Sequence, residues 1–282
     1  MLGPEALGIL SALTSAIVWG SGDFTGGLAA RRMAPVHVLM LASLSGLPIL
    51  IPAALLAREA LPTASGAVWA ALAGVSGGLG IAIFYRALST GPAALVAPTA
   101  GVVGAAVPMI VGSVLEGMPT TGQTVGLLLG LGGIWLVSRV ADRENASAGS
   151  PWVLAFLAGL AFGAFFVFLA QVERGPVFVP LVVAKLSAFA LAVLILIAQG
   201  RPLRPTTVNF LPFLAGVLDA GGNLFFLLAL QYARLDIAAV ITSMYPAATV
   251  VLARVVLRER ASLIQAVGVG LCLIAVGFIA AR

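Results

Sequence analysis

The chain alternates between long apolar runs and short breaks of polar, Gly or Pro residues. Ten runs stand out, near 7–28, 36–57, 66–88, 93–115, 121–139, 152–172, 177–199, 209–231, 236–257 and 261–281. Each approaches the roughly 20 residues that a helix needs to cross a hydrocarbon layer. The runs are continuously apolar and lack the two-residue alternation of a barrel strand, so the pattern predicts helices. The expected fold class is an all-α polytopic membrane protein with ten transmembrane helices. Most connections are short. The longest polar one, Arg139 to Pro151, contains Asp142, Arg143, Glu144, Asn145 and Ser147 and falls at mid-chain. It reads as a linker at 140–151 between a first unit, 1–139, and a second, 152–282.

The second unit repeats the first. Leu72-Ala73-Gly74-Val75 returns as Leu214-Ala215-Gly216-Val217, Gly80 as Gly222, Phe84 as Phe226 and Ala87-Leu88 as Ala229-Leu230, all at an offset of 142. Glu116 returns as Glu259 at an offset of 143, and each Glu precedes a glycine-bearing span. Five spans per unit is an odd number, so the second unit must cross the membrane in the opposite sense. Two inverted five-helix repeats are the recurring plan of secondary transporters.

Composition supports lipid as the solvent. Hydrophobic residues make up 61% of the 282 and charged residues 9%, against roughly 25% charged in a soluble domain. The net charge of +5 comes from single or paired Arg between apolar runs. That is a membrane-face pattern, and no nucleic-acid partner is expected. Connections after spans 1, 3, 5, 7 and 9, here the odd side, hold ten Arg, and the even side holds four. The odd side is therefore expected in the cytoplasm and both termini outside. The first run opens with Glu5 and carries Asp23, which is unlike a cleavable signal. Lone Cys272 and lone His37 offer neither a disulfide framework nor a metal cluster, and His37 is expected at the solvated interface. No cofactor is expected. No paired-carboxylate, His-cluster or Walker-type motif is present, so an enzyme is not expected.

Charge inside apolar spans is costly and marks pathways or ion pairs. Asp219 lies near the middle of the eighth span, with Asn223 and Phe226 on the same helical face. It reads as a substrate-amine or proton site, or as a structural partner. Lys185, the single lysine, lies within the seventh span and suits a carboxylate or Asp219 itself. Asp23 is a second acidic candidate, with Arg31 or Arg32 as alternative partners. Trp19, Tyr85 and Tyr245 are amphipathic aromatics suited to lining a cavity or to packing. Phe156, Phe162, Phe165, Phe166 and Phe168 read as lipid-facing or packed, and Gly122, Gly126 and Gly130 as a close helix contact in a monomer or homodimer. Glu116 and Glu259 suit loop capping.

Trp19-Gly20, Tyr85 with Ala87-Leu88, Pro246, and the two Glu positions with their following glycines resemble the EamA family of the drug/metabolite transporter superfamily. The resemblance runs through both halves. It departs at Leu39 to Ser43, where the family often has an Arg, and at Phe162-Gly163 in place of Trp-Gly. It implies export of an amino acid or similar small metabolite from a bacterial-type inner membrane. Proton coupling through Asp219 or Asp23 and uncoupled facilitation both fit. A lipid-linked flippase, or an accessory subunit of one, is the alternative.

Overall fold

A computed structural model describes residues 3–30, 32–90, 93–137, 150–205, 209–256 and 262–280. Twelve helices follow one another: α1 (Pro4–Ala30), α2 (Pro35–Ser45), α3 (Leu47–Leu56), α4 (Ala64–Thr90), α5 (Ala93–Glu116), α6 (Thr121–Val137), α7 (Ser150–Ala170), α8 (Phe178–Ala198), α9 (Leu211–Tyr232), α10 (Leu235–Thr242), α11 (Tyr245–Val256) and α12 (Leu263–Ala280). Among the described residues, nine stretches are long and apolar enough to cross a membrane, and α6 is a shorter apolar helix. Helices suit this sequence because they satisfy every backbone donor and acceptor within the segment, which lipid demands. Most of the 140–151 linker, Glu259 with Arg258 and Arg260, and the Tyr85 side chain on α4 lie outside the described residues.

Two expected spans are each interrupted once. The second divides into α2 and α3 at Gly46, and the ninth into α10 and α11 at Ser243-Met244. Pro48 and Pro246 explain both breaks. Proline has no N–H to give the carbonyl four residues earlier, here Leu44 and Thr242. The apolar pattern runs unbroken through both, so hydropathy alone merged them.

The two halves interdigitate. The first helix of each half packs against the third of the other, α1 on α9 and α7 on α4. The fifth helices, α6 and α12, pack on each other. Small residues make these approaches close. A Cβ at Gly126 would stand 2.7 Å from Ile279 Cγ1, and one at Gly133 would stand 2.7 Å from Cys272 Sγ. The stripe from Gly126 thus packs within the monomer. Gly74 abuts the backbone of Ala184, and Gly216 abuts that of Ala42. Both partners of the second contact differ by 142 from those of the first.

Polar contacts between connections join odd to odd or even to even. His37 Nε2 lies 2.8 Å from the Pro202 carbonyl on the odd side. On the even side, Glu59 accepts from the Val177, Phe178 and Val179 N–H groups at 2.8–3.1 Å, satisfying the exposed donors at the start of α8. Thr63 bonds Glu173, and Arg234 bonds the Glu116 carbonyl at 3.1 Å. His37 differs from its expected solvated position. It is 7% exposed, packed under the connection that follows α8.

Candidate functional site

At the level of Trp19 the bundle stops being apolar. Asp219 is eight residues into α9, about 12 Å from its start at 1.5 Å per residue. Its carboxylate Oδ2 accepts from Lys185 Nζ on α8, and its Oδ1 accepts from Trp19 Nε1 on α1 at 3.1 Å. The same indole N–H lies 3.2 Å from the Asp219 carbonyl. Three helices drawn from both halves therefore meet on one carboxylate. The Lys185 side chain is only 7% exposed and that of Asp219 is 42% exposed, so the pair is closed on the lysine side and open on the other.

Glycines allow this meeting. Gly222 sits directly under the Trp19 ring, where a Cβ would stand 2.6 Å from its Cγ. Gly22 brings α1 against the Asp219 backbone, with a Cβ there 3.5 Å from the Asp219 nitrogen. Gly46, at the α2–α3 break, leaves room for the Lys185 stem, with Cε 3.7 Å from the position of a Cβ. Asp23 follows Gly22 and is exposed. It lies near enough to Asp219 for the two charges to interact. Asn223, one turn beyond Asp219, is 5% exposed, and its Oδ1 has no hydrogen-bond partner among the described residues.

An aromatic cluster closes the even-side end. The Trp19 ring centroid lies 5.8 Å from that of Phe165, 5.6 Å from Phe166, 6.1 Å from Phe226 and 6.5 Å from Tyr245. Phe226 is fully buried and stacks behind Trp19, so it braces the indole from within the core. Tyr245 begins α11 beside the same indole, and Thr249 one turn on bonds the Gly20 carbonyl at 3.0 Å. Every residue of α10, on the even side of this cluster, is buried, and no described residue of α11 is.

The structure thus brings Trp19, Asp23, Lys185, Asp219, Asn223, Phe226 and Tyr245 to one region. Sequence reading passed over Asp236. It is fully buried at the start of α10, with Arg234 Nη2 at 2.8 Å from Oδ2. That hydrogen bond pushes the Arg234 guanidinium above its ordinary pKa. Asp236 sits at a predicted span boundary, where an acidic residue looks like an ordinary helix end. Glu59 was missed for a related reason, because its partners are backbone groups that no side-chain pattern reveals. Among the described residues, no cluster of His, Cys, Asp and Glu is arranged to hold a metal ion.

A ten-span helical bundle built of two repeats, with a charged and aromatic centre, defines a polytopic membrane transport fold. The chain belongs to the EamA-like transporter family, which matches residues 6–139 and again 150–281. It is similar in fold to a solved structure described only as "Crystal structure of protein", with a TM-score of 0.76 at 17% identity, covering 96% of this chain and 97% of that one. A comparison with curated proteins gives no match.

Proposed function

We propose that this membrane transporter moves an amino acid or similar small metabolite outward across a bacterial-type inner membrane by alternating access. Residues 1–139 and 152–282 act as two inverted units joined by the 140–151 linker. The observation that carries the reading is the Lys185–Asp219 pair. It joins α8 and α9 of the second half within an apolar bundle, is held from the first half by the Trp19 indole N–H, and is left open on one face. A charge pair of this depth is costly unless a pathway uses it. Packing alone is served as well by apolar residues.

The open face supports a direction. Asp23 is exposed on the odd side of the Trp19 cluster, the Asp219 side chain is 42% exposed, and buried α10 lies on the even side. Arg bias assigns the odd side to the cytoplasm. In an exporter, a site open to the cytoplasm and plugged by aromatics above would be the state that loads cargo. Its counterpart, open to the even side, needs the aromatic cluster to part at Trp19 and Tyr245.

Counterflow of labelled amino acids in proteoliposomes tests this reading. The expected result is accumulation driven by unlabelled substrate inside, lost in Asp219→Asn. Adding a proton gradient separates coupled transport from facilitation. Full exchange by Asp219→Asn would remove the site from the pathway, and no exchange of any small metabolite would overturn transport itself.

A further inference from the structure

Phe166 and Phe226 meet behind Trp19 with ring centroids 4.9 Å apart. On the even side of this pair the packing is incomplete. A cavity of about 40 Å³ lies there, with room for about two waters. Leu169 on α7 and Leu227 and Leu230 on α9, on the turns that follow the two rings, form its apolar walls. Glu116, Arg174 and Gln231 form its polar ones. A polar space beyond an aromatic plug is what a closed path leaves behind, so the contacts that keep this end shut carry the interest.

One guanidinium gathers them. Arg234 Nε donates to Asp236 Oδ1 at 3.1 Å, and Nη2 donates to Oδ2 at 2.8 Å. Nη1 donates to the Glu116 carbonyl at 3.1 Å, and Nη2 also bonds the Gly117 carbonyl. The Glu116 carboxylate crosses the same junction in return, accepting from the Leu235 N–H at 3.2 Å. The end of α5, from the first half, is thereby tied to the start of α10, from the second. Asp236 is fully buried, while the Arg234 side chain is 27% exposed and can reach water. Apolar residues would pack this junction as well as an ion pair does. The pair adds a contact that is made or broken as a unit. The repeat does not carry it to the odd rim. At the offset of 142, Arg234 and Asp236 correspond to Pro92 and Ala94, although Glu116 keeps its counterpart in Glu259. Two rims of related backbone thus differ in charge, and the even one is harder to open.

We infer that Arg234, clamped between Asp236 and the end of α5, is a latch that holds the even side shut and makes the odd-open form the resting state. Opening frees Arg234 from Asp236 and from the Glu116 and Gly117 carbonyls, and the small cavity then becomes the even-side mouth of the path. This rests on the alternating-access reading and names the contact that sets its balance.

The test uses the full chain purified in detergent, so it does not depend on which face is the cytoplasm. Leu227→Cys puts a thiol in the cavity wall at a position 3% exposed. Its rate of modification by a charged, water-soluble methanethiosulfonate reports opening of the even side. Native Cys272, 4% exposed and packed against Gly133, reports general loosening when measured without the added thiol. Asp236→Asn removes the charge and keeps an acceptor for the Ile237 N–H, which Asp236 Oδ1 holds at 2.8 Å. It should speed modification of Leu227→Cys about tenfold, the worth of one charge-assisted hydrogen bond in the balance of two states. Cys272 should react at its former rate. Arg234→Gln combined with Asp236→Asn leaves no orphan charge and should act alike. If Asp236→Asn alone fails to fold, the double variant decides. An unchanged rate at Leu227→Cys overturns the inference, and so does equal acceleration at Cys272, which would make the pair a general brace. Counterflow keeps the two readings apart. A protein that exchanges metabolites while Leu227→Cys ignores the pair loses only the latch. One whose Leu227→Cys responds but which exchanges nothing loses only the transport reading.

Discussion

Positions related by the repeat agree in backbone and differ in chemistry. Gly74 against Ala184 and Gly216 against Ala42 are the same contact made twice. So are Gly80 under Phe162 and Gly222 under Trp19. The repeat partners of Lys185 and Asp219 are Ser43 and Gly77 at the offset of 142, and the partner of Asn223 is Ile81. Trp19 and Asp23 correspond to Phe162 and Phe166 at 143. One copy of the pattern has become the polar site and the other its apolar mirror. The glycines that let helices touch are held in both copies because close packing is needed twice. The charges occur once, where α1, α8 and α9 meet.

The largest effect should come from the shared contacts. Gly74→Leu and Gly216→Leu each drive a side chain into the backbone of the facing helix, which rotamer changes cannot relieve. Both should abolish a monodisperse peak in size-exclusion chromatography. A folded protein from one and not the other would break the equivalence of the halves.

The next test separates chemistry from scaffold. Lys185→Met and Asp219→Asn should each stop exchange, and Asp219→Asn, which orphans the buried Lys185, should destabilise by about 3–5 kcal/mol, with Lys185→Met costing less because Asp219 is open on one side. The double variant should regain stability and stay inactive, while Ser43→Ala, at the mirror position, should keep exchange within about twofold of normal, a change of under 1 kcal/mol. Recovered exchange in the double variant would reduce the pair to a structural role.

How much of this the sequence revealed follows from the range of each signal. Hydropathy marked the ten spans because twenty apolar residues are a long, local pattern. The repeat was legible because Leu72 to Leu88 kept its packing residues. Asp219, Lys185 and Trp19 stood out as polar groups within apolar runs, but which oxygen takes which donor depends on three helices meeting. The division at Gly46 and at Ser243-Met244 was hidden by unbroken hydropathy, although Pro48 and Pro246 carried the signal. Asp236 escaped because it stands at a span boundary two residues after Arg234, where an acidic residue looks like an ordinary helix end, and Glu59 escaped because its partners are N–H groups across the fold at the start of α8.

Glu59 sharpens the comparison at the even rim. Its carboxylate takes three N–H groups at the start of α8, and His37 meets Pro202 at the equivalent place on the odd rim. A carboxylate on a helix N-terminus is worth more than a neutral contact at a carbonyl. Glu59→Ala should lower stability by about 1–2 kcal/mol, seen as a lower melting temperature. His37→Ala should cost less. The reverse order would mean that the two rims are not held in the way their contacts imply.

The smallest expected effect is a gain. α3 ends with the Glu59 N–H on the Ala54 carbonyl at 3.1 Å and the Arg58 N–H on that of Leu55 at 3.1 Å. α8 ends alike, with the Arg201 N–H on Leu196 and the Gly200 N–H on Ile197, both at 2.9 Å. Each is a Schellman turn, which requires one residue at positive φ. The second copy uses Gly200, at φ +63°, and the first uses Arg58, at φ +51°. An L side chain is strained there and glycine is not. Arg58→Gly should therefore relieve strain, offset in part by the greater freedom of glycine in the unfolded chain. The net gain should be about 0.5–1 kcal/mol, and Gly200→Ala should cost a similar amount. A lower melting temperature for Arg58→Gly would show that the Arg58 side chain holds the even rim by more than its backbone, and that the two turns had diverged in role as the site itself has.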